Sequence, residues 1–317
     1  MSRILTITLN PALDLATQVE RLTAEAKMRC STPRLDPGGG GVNVSRAIAR
    51  LGGRSTALVA LGGAVGARHA GCLAGDGIET VRLDVGGETR ESLAVTDRST
   101  GRMYRFVMPG PSWEPDMVGA ALARIAATVG EGDLVVLSGS HPPGVPDDFA
   151  LRLLDRVAGR GVRLVLDVSG PALLAAARGG GAALHVLRMN AAEAATLRGG
   201  PAPDAPGAAA LGRELLATGA AEIVVIGLGA AGSVGVDASG AWRVRPPPVE
   251  VVSRTGAGDS FVAGLVLGFA EGLPLPRCLE RAMAAATSAV TTPGTALCTR
   301  DGTAAVLAQI AAEPLGG

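Results

Sequence analysis

Thr255-Gly256-Ala257-Gly258-Asp259-Ser260 places two glycines and a carboxylate in one turn, between the extended residues 249–253 and the apolar run 261–270. Glycines let several backbone N–H groups converge on one spot, and the N-terminus of a following helix adds positive potential there. An anion held at such amides has Asp259 beside it. That arrangement suits a general base removing a proton from a hydroxyl as it attacks a phosphoryl group. Asp at a helix start is also an ordinary cap, and spacing alone leaves both roles open for Asp259.

A second glycine turn, Gly38-Gly39-Gly40-Gly41, precedes Val42-Asn43 and another helix pattern. Four consecutive glycines raise the entropy lost on folding, which makes sense where a ligand approaches the backbone closely and Asn43 hydrogen-bonds it. A third, Gly227-Leu228-Gly229-Ala230-Ala231-Gly232, matches the dinucleotide fingerprint. That fingerprint requires a helix next, whereas residues 233–237 and 242–244 around Ala238-Ser239-Gly240 read as a β-hairpin. The loop suits a nucleotide contact but not a Rossmann site. Asn190 and Glu193 follow a strand and stand three apart on a short helix, where a carboxylate could hold Mg2+ through water. From spacing alone, a solvated helix face is the simpler explanation of the pair. Lys27, Arg29, Arg90 and Arg105 are candidates for clamping a sugar phosphate. His69, His141 and His185 form no metal-binding spacing.

These residues need a scaffold. Short apolar strands at 4–9, 57–61, 134–137, 163–168, 185–188 and 223–226 alternate with helix-period segments. Such alternation predicts an α/β fold with a mostly parallel sheet covered on both faces. Val44, Ala47, Ile48 and Leu51 repeat at helical spacing before Gly52-Gly53, as do Met117, Val118, Ala121, Leu122 and Ile125. Residues 91–96 and 103–108 break the rhythm as a hairpin. With the extended stretch after Asp14, the hairpin either projects as a small separate sheet or forms an edge of the main one. Residues 199–207 read as a loop or insertion.

Composition narrows the function classes. The 317 residues carry 29 basic and 29 acidic side chains, so no basic nucleic-acid footprint exists. Lys27 is the only lysine and is followed by Met28, which excludes a Walker A loop and the lysine signature of protein kinases. Cys30, Cys72, Cys278 and Cys298 lie far apart, as scattered core fillers rather than a zinc or disulfide frame. The first residues alternate like a strand without a signal-peptide stretch, and no run is long enough to span a bilayer. The expectation is a soluble cytoplasmic protein.

The assembled residues resemble the PfkB/ribokinase family of carbohydrate kinases over essentially the whole chain, with greatest likeness to its type-2 6-phosphofructokinases. The resemblance rests on Thr8-Leu9-Asn10-Pro11-Ala12-Leu13-Asp14, the segment from Pro37 to Asn43, and Tyr104-Arg105-Phe106-Val107-Met108-Pro109-Gly110. It also rests on Ser138-Gly139-Ser140 with Pro142-Pro143-Gly144, and on Gly256-Ala257-Gly258-Asp259-Ser260. It implies one ribokinase-like three-layer α/β/α domain over 1–317, with a small β-sheet lid from about 11–36 and 86–110. The implied reaction is ATP-dependent phosphorylation of fructose 6-phosphate, with tagatose 6-phosphate or fructose 1-phosphate as alternative substrates. An inactive sugar-phosphate or nucleotide sensor is the alternative of another class.

By that resemblance Asp259 is the base, and the amides of Gly256, Ala257 and Gly258 form an anion hole. Asp14, Gly39, Gly40, Asn43 and Ser140 contact the sugar, while Lys27, Arg29, Arg90 and Arg105 bind its phosphate. Gly227, Gly229, Gly232 and Thr287 hold ATP. Asn190 and Glu193 match the family's element for Mg2+, and Ser253, Thr255, Ala289, Thr292 and Gly294 surround a K+ position. The lid pairs two subunits as a homodimer, with no nucleic-acid or membrane partner. Relatives acting on fructose 1-phosphate and tagatose 6-phosphate usually carry Gly-Gly-Lys-Gly where this chain has four glycines. The chain also departs from common family residues at Arg188-Met189-Asn190 (often Lys-Pro-Asn), Gly227 (often a hydroxyl residue) and His141 (often Leu).

Overall fold

The computed structural model describes residues 2–316. The chain begins with β1 (Ile4–Thr8), β2 (Ala12–Val19), β3 (Arg34–Gly38), α1 (Gly40–Arg50), β4 (Thr56–Leu61) and α2 (Gly63–Gly75). It continues through β5 (Glu79–Asp84), β6 (Arg90–Asp97), β7 (Met103–Val107), α3 (Pro115–Thr128), β8 (Leu134–Ser138) and α4 (Phe149–Arg156). Next come β9 (Arg163–Asp167), α5 (Pro171–Ala177), β10 (Leu184–Asn190), α6 (Ala191–Arg198), α7 (Ala205–Ala217) and β11 (Ala221–Gly227). The last elements are β12 (Ser233–Asp237), β13 (Gly240–Val244), α8 (Ala257–Ala270), α9 (Leu275–Val290), α10 (Arg300–Leu307) and β14 (Ala312–Pro314).

Ten strands form the main sheet in the order β14-β13-β12-β11-β10-β9-β8-β1-β4-β5. Pairing is parallel from β11 to β5 and antiparallel from β11 to β14. Central strands such as Leu134-Val135-Val136-Leu137 are buried throughout because helices cover both faces. One core layer packs the sheet against α3 to α7, the other against α1, α8 and α9. The result is a three-layer α/β/α fold. Strand β5 escapes the apolar-run criterion: Glu79-Thr80-Val81-Arg82-Leu83-Asp84 is the edge strand and buries only Leu83. Residues 199–207 are only partly a loop, since Asp204 caps α7 and the helix begins at Ala205.

The hairpin does not join the main sheet. It forms a separate four-stranded sheet, β3-β2-β6-β7, in which β2 runs parallel to β6 and the other pairs are antiparallel. Every residue of β7 is exposed, among them Phe106 at 49% and Val107 at 60%. Cys278 and Cys298 are buried fillers, but Cys30 lies exposed in the loop between β2 and β3. Among the described residues, no helix is long and apolar enough to cross a membrane.

Helix α8 is buried from Ser260 to its end. Gly264 and Gly268 admit α9 at close range: a Cβ there would fall 2.7 Å from the Arg281 carbonyl oxygen and from Cys278 Sγ, respectively. Each apolar side chain fully buried along this helix contributes roughly 1.5–3 kcal/mol. The glycine turn at its start is therefore carried on a rigid, deeply seated element.

Candidate active site

The carboxyl ends of the parallel strands and the lid enclose the site, on the side of an α/β sheet where ligands bind. Strand β1 is flanked by β8 and β4, so the chain's order reverses there and a crevice opens. Helix α1 starts over that crevice. The Val42 amide donates to Thr8 Oγ1 (2.8 Å), and Thr6 and Ser45 share a hydroxyl hydrogen bond (2.8 Å), which fastens α1 to β1. Gly40 sits at the closest approach. A Cβ on it would fall 2.6 Å from the Gly139 amide nitrogen and against Ser138 Oγ. The four-glycine segment is thus packed against the strand ends and is not a floppy loop.

Gly256 caps α8 in the left-handed region (φ 78°), and Asp259 is the third helical residue. Its side chain makes no capping bond. Instead, Asn43 Nδ2 from α1 donates to Asp259 Oδ2 (2.9 Å). Burial and, second, the negative charge of Asp167 push the Asp259 carboxyl up to about 7, against the Asn43 hydrogen bond and the Arg188 cation. A carboxylate in this state is suited to exchanging a proton near neutral pH.

Two cavities meet at the turn. The smaller, about 320 Å³, is lined by Asp14, Gly39, Gly40 and Asn43 on one side and by Arg90 and Arg105 from the lid. Gly256 and Asp259 face into it, with Asp36, Arg46, Ser92 and Thr295, which sequence reasoning did not select. Asp14 is raised by burial, against the pull of Arg105 and Arg90. Arg90 bonds the carbonyls of Asn10 (3.0 Å), Met108 (3.3 Å) and Pro11 (3.4 Å), where the chain enters and leaves the lid. The larger cavity, about 670 Å³, is lined by Ala257 and Gly258, and by Gly227, Gly229, Gly232 and Thr287. Thr287 Oγ1 is buried with no hydrogen-bond partner, so a polar atom on this wall awaits a ligand. The dimensions and that orphan hydroxyl fit a nucleotide.

Other sequence candidates fall elsewhere. Lys27 and Arg29 are exposed in the loop between β2 and β3 and line neither cavity. Ser140 is exposed, accepts from Asn10 Nδ2 (3.1 Å) and also lines neither. Asn190 belongs to the end of β10 and not to a helix: it is the N-cap of α6. Its Oδ1 accepts from the Ala192 and Glu193 amides, while Glu193 Oε2 accepts from the Asn190 amide (2.7 Å). This capping box accounts for the spacing and leaves Glu193 Oε1 free to reach a metal through water. Burial raises the Glu193 carboxyl. Among the described residues, no cluster of three or more His, Cys, Asp or Glu side chains could hold a metal. A divalent ion here would therefore take most of its ligands from phosphate and water. Ser253 Oγ donates to the Gly294 carbonyl (2.7 Å), the Thr255 amide to Ser253 Oγ (3.2 Å), and Thr292 Oγ1 to the Ala289 carbonyl (2.7 Å). These two segments, joined by the Ser253–Gly294 bond, bring carbonyl and hydroxyl oxygens of a kind that could ligate a monovalent cation.

Asp167 and Arg188 were not selected as site residues, yet they pair at 2.8 Å beside Gly258. An acidic residue ending a buried parallel strand was the available signal for Asp167.

The model of the pfkB family carbohydrate kinases matches residues 7–301. This chain belongs to the PfkB family of carbohydrate kinases. As a PfkB kinase it is an ATP-dependent phosphotransferase, and the family's chemistry calls for a divalent metal. It is 38% identical over 312 residues to the ATP-dependent 6-phosphofructokinase isozyme 2 of Escherichia coli, covering 98% of this chain and 99% of that one. The isozyme 2 of Mycobacterium tuberculosis is 36% identical over 98% of this chain and 91% of its own. The 1-phosphofructokinase of Xanthomonas campestris is 32% identical over 88% of each. The crystal structure of Escherichia coli phosphofructokinase-2 in complex with potassium superposes with a TM-score of 0.92 at 36% identity, over 98% of this chain and 99% of that one.

Proposed function

We propose that this PfkB kinase transfers the γ-phosphoryl group of Mg-ATP to the 1-hydroxyl of fructose 6-phosphate, giving fructose 1,6-bisphosphate. The observation that carries the reading is Asp259, at the junction of a nucleotide-sized cavity and a cavity flanked by two lid arginines. The sugar phosphate binds in the smaller cavity, its phosphate toward Arg90 and Arg105 and its hydroxyls toward Asp14, Asn43 and the Gly39-Gly40 backbone. ATP occupies the larger cavity beside Gly227, Gly229, Gly232 and Thr287. Asp259 then takes the proton of the attacking hydroxyl, and the amides of Gly256, Ala257 and Gly258 stabilise charge on the group in transfer. Asn43 keeps the carboxylate aimed at the hydroxyl. Lid closure excludes water, which would otherwise accept the phosphoryl group.

Glu193, placed by the Asn190 cap, would hold Mg2+ through water, where the ion would neutralise phosphate charge. K+ fits the oxygens of Ser253, Thr255, Ala289, Thr292 and Gly294. The exposed apolar strand β7 pairs two copies as a homodimer, and the free thiols suit the cytoplasm.

Fructose 1-phosphate and tagatose 6-phosphate remain competing acceptors, and one observation weighs against them. Gly40 stands where many of their kinases carry lysine, and the space for any side chain there is filled by Ser138 and Gly139. ADP release from Mg-ATP with K+ tests the reading, with each of the three sugar phosphates and none, for wild type and Asp259→Asn. Fastest turnover on fructose 6-phosphate, lost in the variant, is expected. Preference for another acceptor changes the substrate assignment, and ligand binding without turnover makes the protein a sensor.

A further inference from the structure

A buried ion pair stands at the ends of three neighbouring strands. Ser138 ends β8, Asp167 ends β9, and Arg188 lies near the end of β10. Asp167 uses both oxygens: Oδ2 accepts from Ser138 Oγ (3.1 Å), and Oδ1 accepts from Arg188 Nη1 (2.8 Å). The Arg188 and Asp167 side chains are only 15% and 11% exposed. Charges withdrawn this far from water gain little net stability by pairing, so stability alone is a poor reason for the pair.

Its position supplies a better one. Arg188 lines the larger cavity, and a Cβ on Gly258 would fall 3.3 Å from Nη2 and 3.5 Å from Nη1. A Cβ on Gly227 would fall 3.7 Å from Nη2. The guanidinium therefore lies against the first turn of α8, the same turn that separates the two cavities. Arg188 Nε is buried and has no hydrogen-bond partner among the described residues. Arginine's planar fork allows this division, with one N–H bound to a carboxylate while others face elsewhere. An ammonium group, as a single point, lacks that geometry. Asp259 is close enough to feel the Arg188 charge, so an unrestrained guanidinium could swing over and neutralise the base.

Resting on the phosphotransfer reading above, we infer that Asp167 is a positioning residue for the reaction. Clamped by Ser138, it holds the Arg188 guanidinium beside the α8 amides, facing the phosphoryl group in transfer and apart from Asp259. Removing the clamp leaves the smaller cavity intact and misplaces one cation on the wall of the larger. Its signature is lost kcat with little change in sugar-phosphate KM.

The test is a double-mutant cycle on steady-state ADP release at saturating Mg-ATP, with Asp167→Asn, Arg188→Met and the pair combined. Asp167→Asn is expected to lower kcat about 10- to 100-fold, with sugar-phosphate KM moving less than about threefold. In the Arg188→Met background the same change is expected to have almost no further effect, because its partner is gone. Ser138→Ala loosens the clamp while keeping both charges, so it tests the idea even where Asp167→Asn does not fold. It too should lower kcat only while Arg188 is present. Losses that simply multiply in the combined variants, or a KM rise with kcat intact, overturn the positioning role. In either case an active wild type that Asp259→Asn silences leaves the phosphotransfer reading standing. A wild type inactive on every sugar phosphate overturns that reading and this inference with it.

Discussion

Replacing Asp259 with Asn should leave the enzyme inactive and the fold more stable. The carboxyl is pushed from 3.8 up to about 7, a difference of about 4 kcal/mol between the two protonation states. Between roughly pH 4 and 7 the folded state retains a proton that the unfolded chain has released, so wild-type stability declines as pH rises through that window. Asparagine preserves the shape, still accepts from Asn43 Nδ2, and has no proton to lose. Water in the open cavity screens part of the charge, so the expected gain at pH 8 is about 2–4 kcal/mol. For a chain of this size that corresponds to about 3–6 °C in Tm. The gain should shrink as pH falls and be small near pH 4, where the folded side chain is neutral and the unfolded one has begun to take up its proton. Thermal melts of both proteins from pH 4 to 9, without ligands, provide the assay, alongside ADP release. Turnover in the variant should fall by roughly 10²–10⁴. A variant that melts no higher than wild type at pH 8 would refute the buried, destabilised base, and near-full kcat would refute the base itself.

Further outcomes are expected. In wild type, kcat/KM should lose about tenfold per pH unit below about 7, as Asp259 takes up its proton; a flat profile from pH 5.5 to 8 contradicts this. Gly40→Ala should cost about 1–3 kcal/mol by overpacking against Ser138 and Gly139, visible as a lower Tm, and an unchanged melt would show that the strand ends yield. Arg105→Gln should raise sugar-phosphate KM about 10- to 100-fold through loss of a charged hydrogen bond, while Mg-ATP KM stays nearly constant. The proposed pairing through the lid predicts that wild type sediments as a dimer and Phe106→Glu on the exposed lid strand as a monomer; a monomeric wild type, or a variant that sediments unchanged, would refute that interface.

What the residues disclosed followed from how local each signal is. The turn at 255–260 was readable because its glycines, its carboxylate and the apolar helix behind it are contiguous. Alternation revealed the 91–108 hairpin, but not which sheet it joins, because its second neighbour is the parallel strand β2, far away in sequence. Strand β5 was passed over because an edge strand retains exposed charges such as Arg82 and Asp84. Asp167 and Arg188 each sit at an ordinary strand end, and only the adjacency of β9 and β10 turns them into a pair. Asn190 and Glu193 matched a family element, yet their mutual bonds are those of a helix cap. A linear pattern does not separate these roles.

The parallel pairing at the centre of the lid also bears on how the molecule is made. Ala12 to Val19 align with Arg90 to Asp97, and β3, α1, β4, α2 and β5 lie between them in the chain. Closing so long a loop is slow relative to local structure. The roof over the smaller cavity therefore belongs to the late steps of folding, after the main sheet has brought β2 and β6 together. A chain refolding from the unfolded state would form the α8 turn before Arg90 and Arg105 are brought over the cavity, so that cavity is complete only once the native topology is.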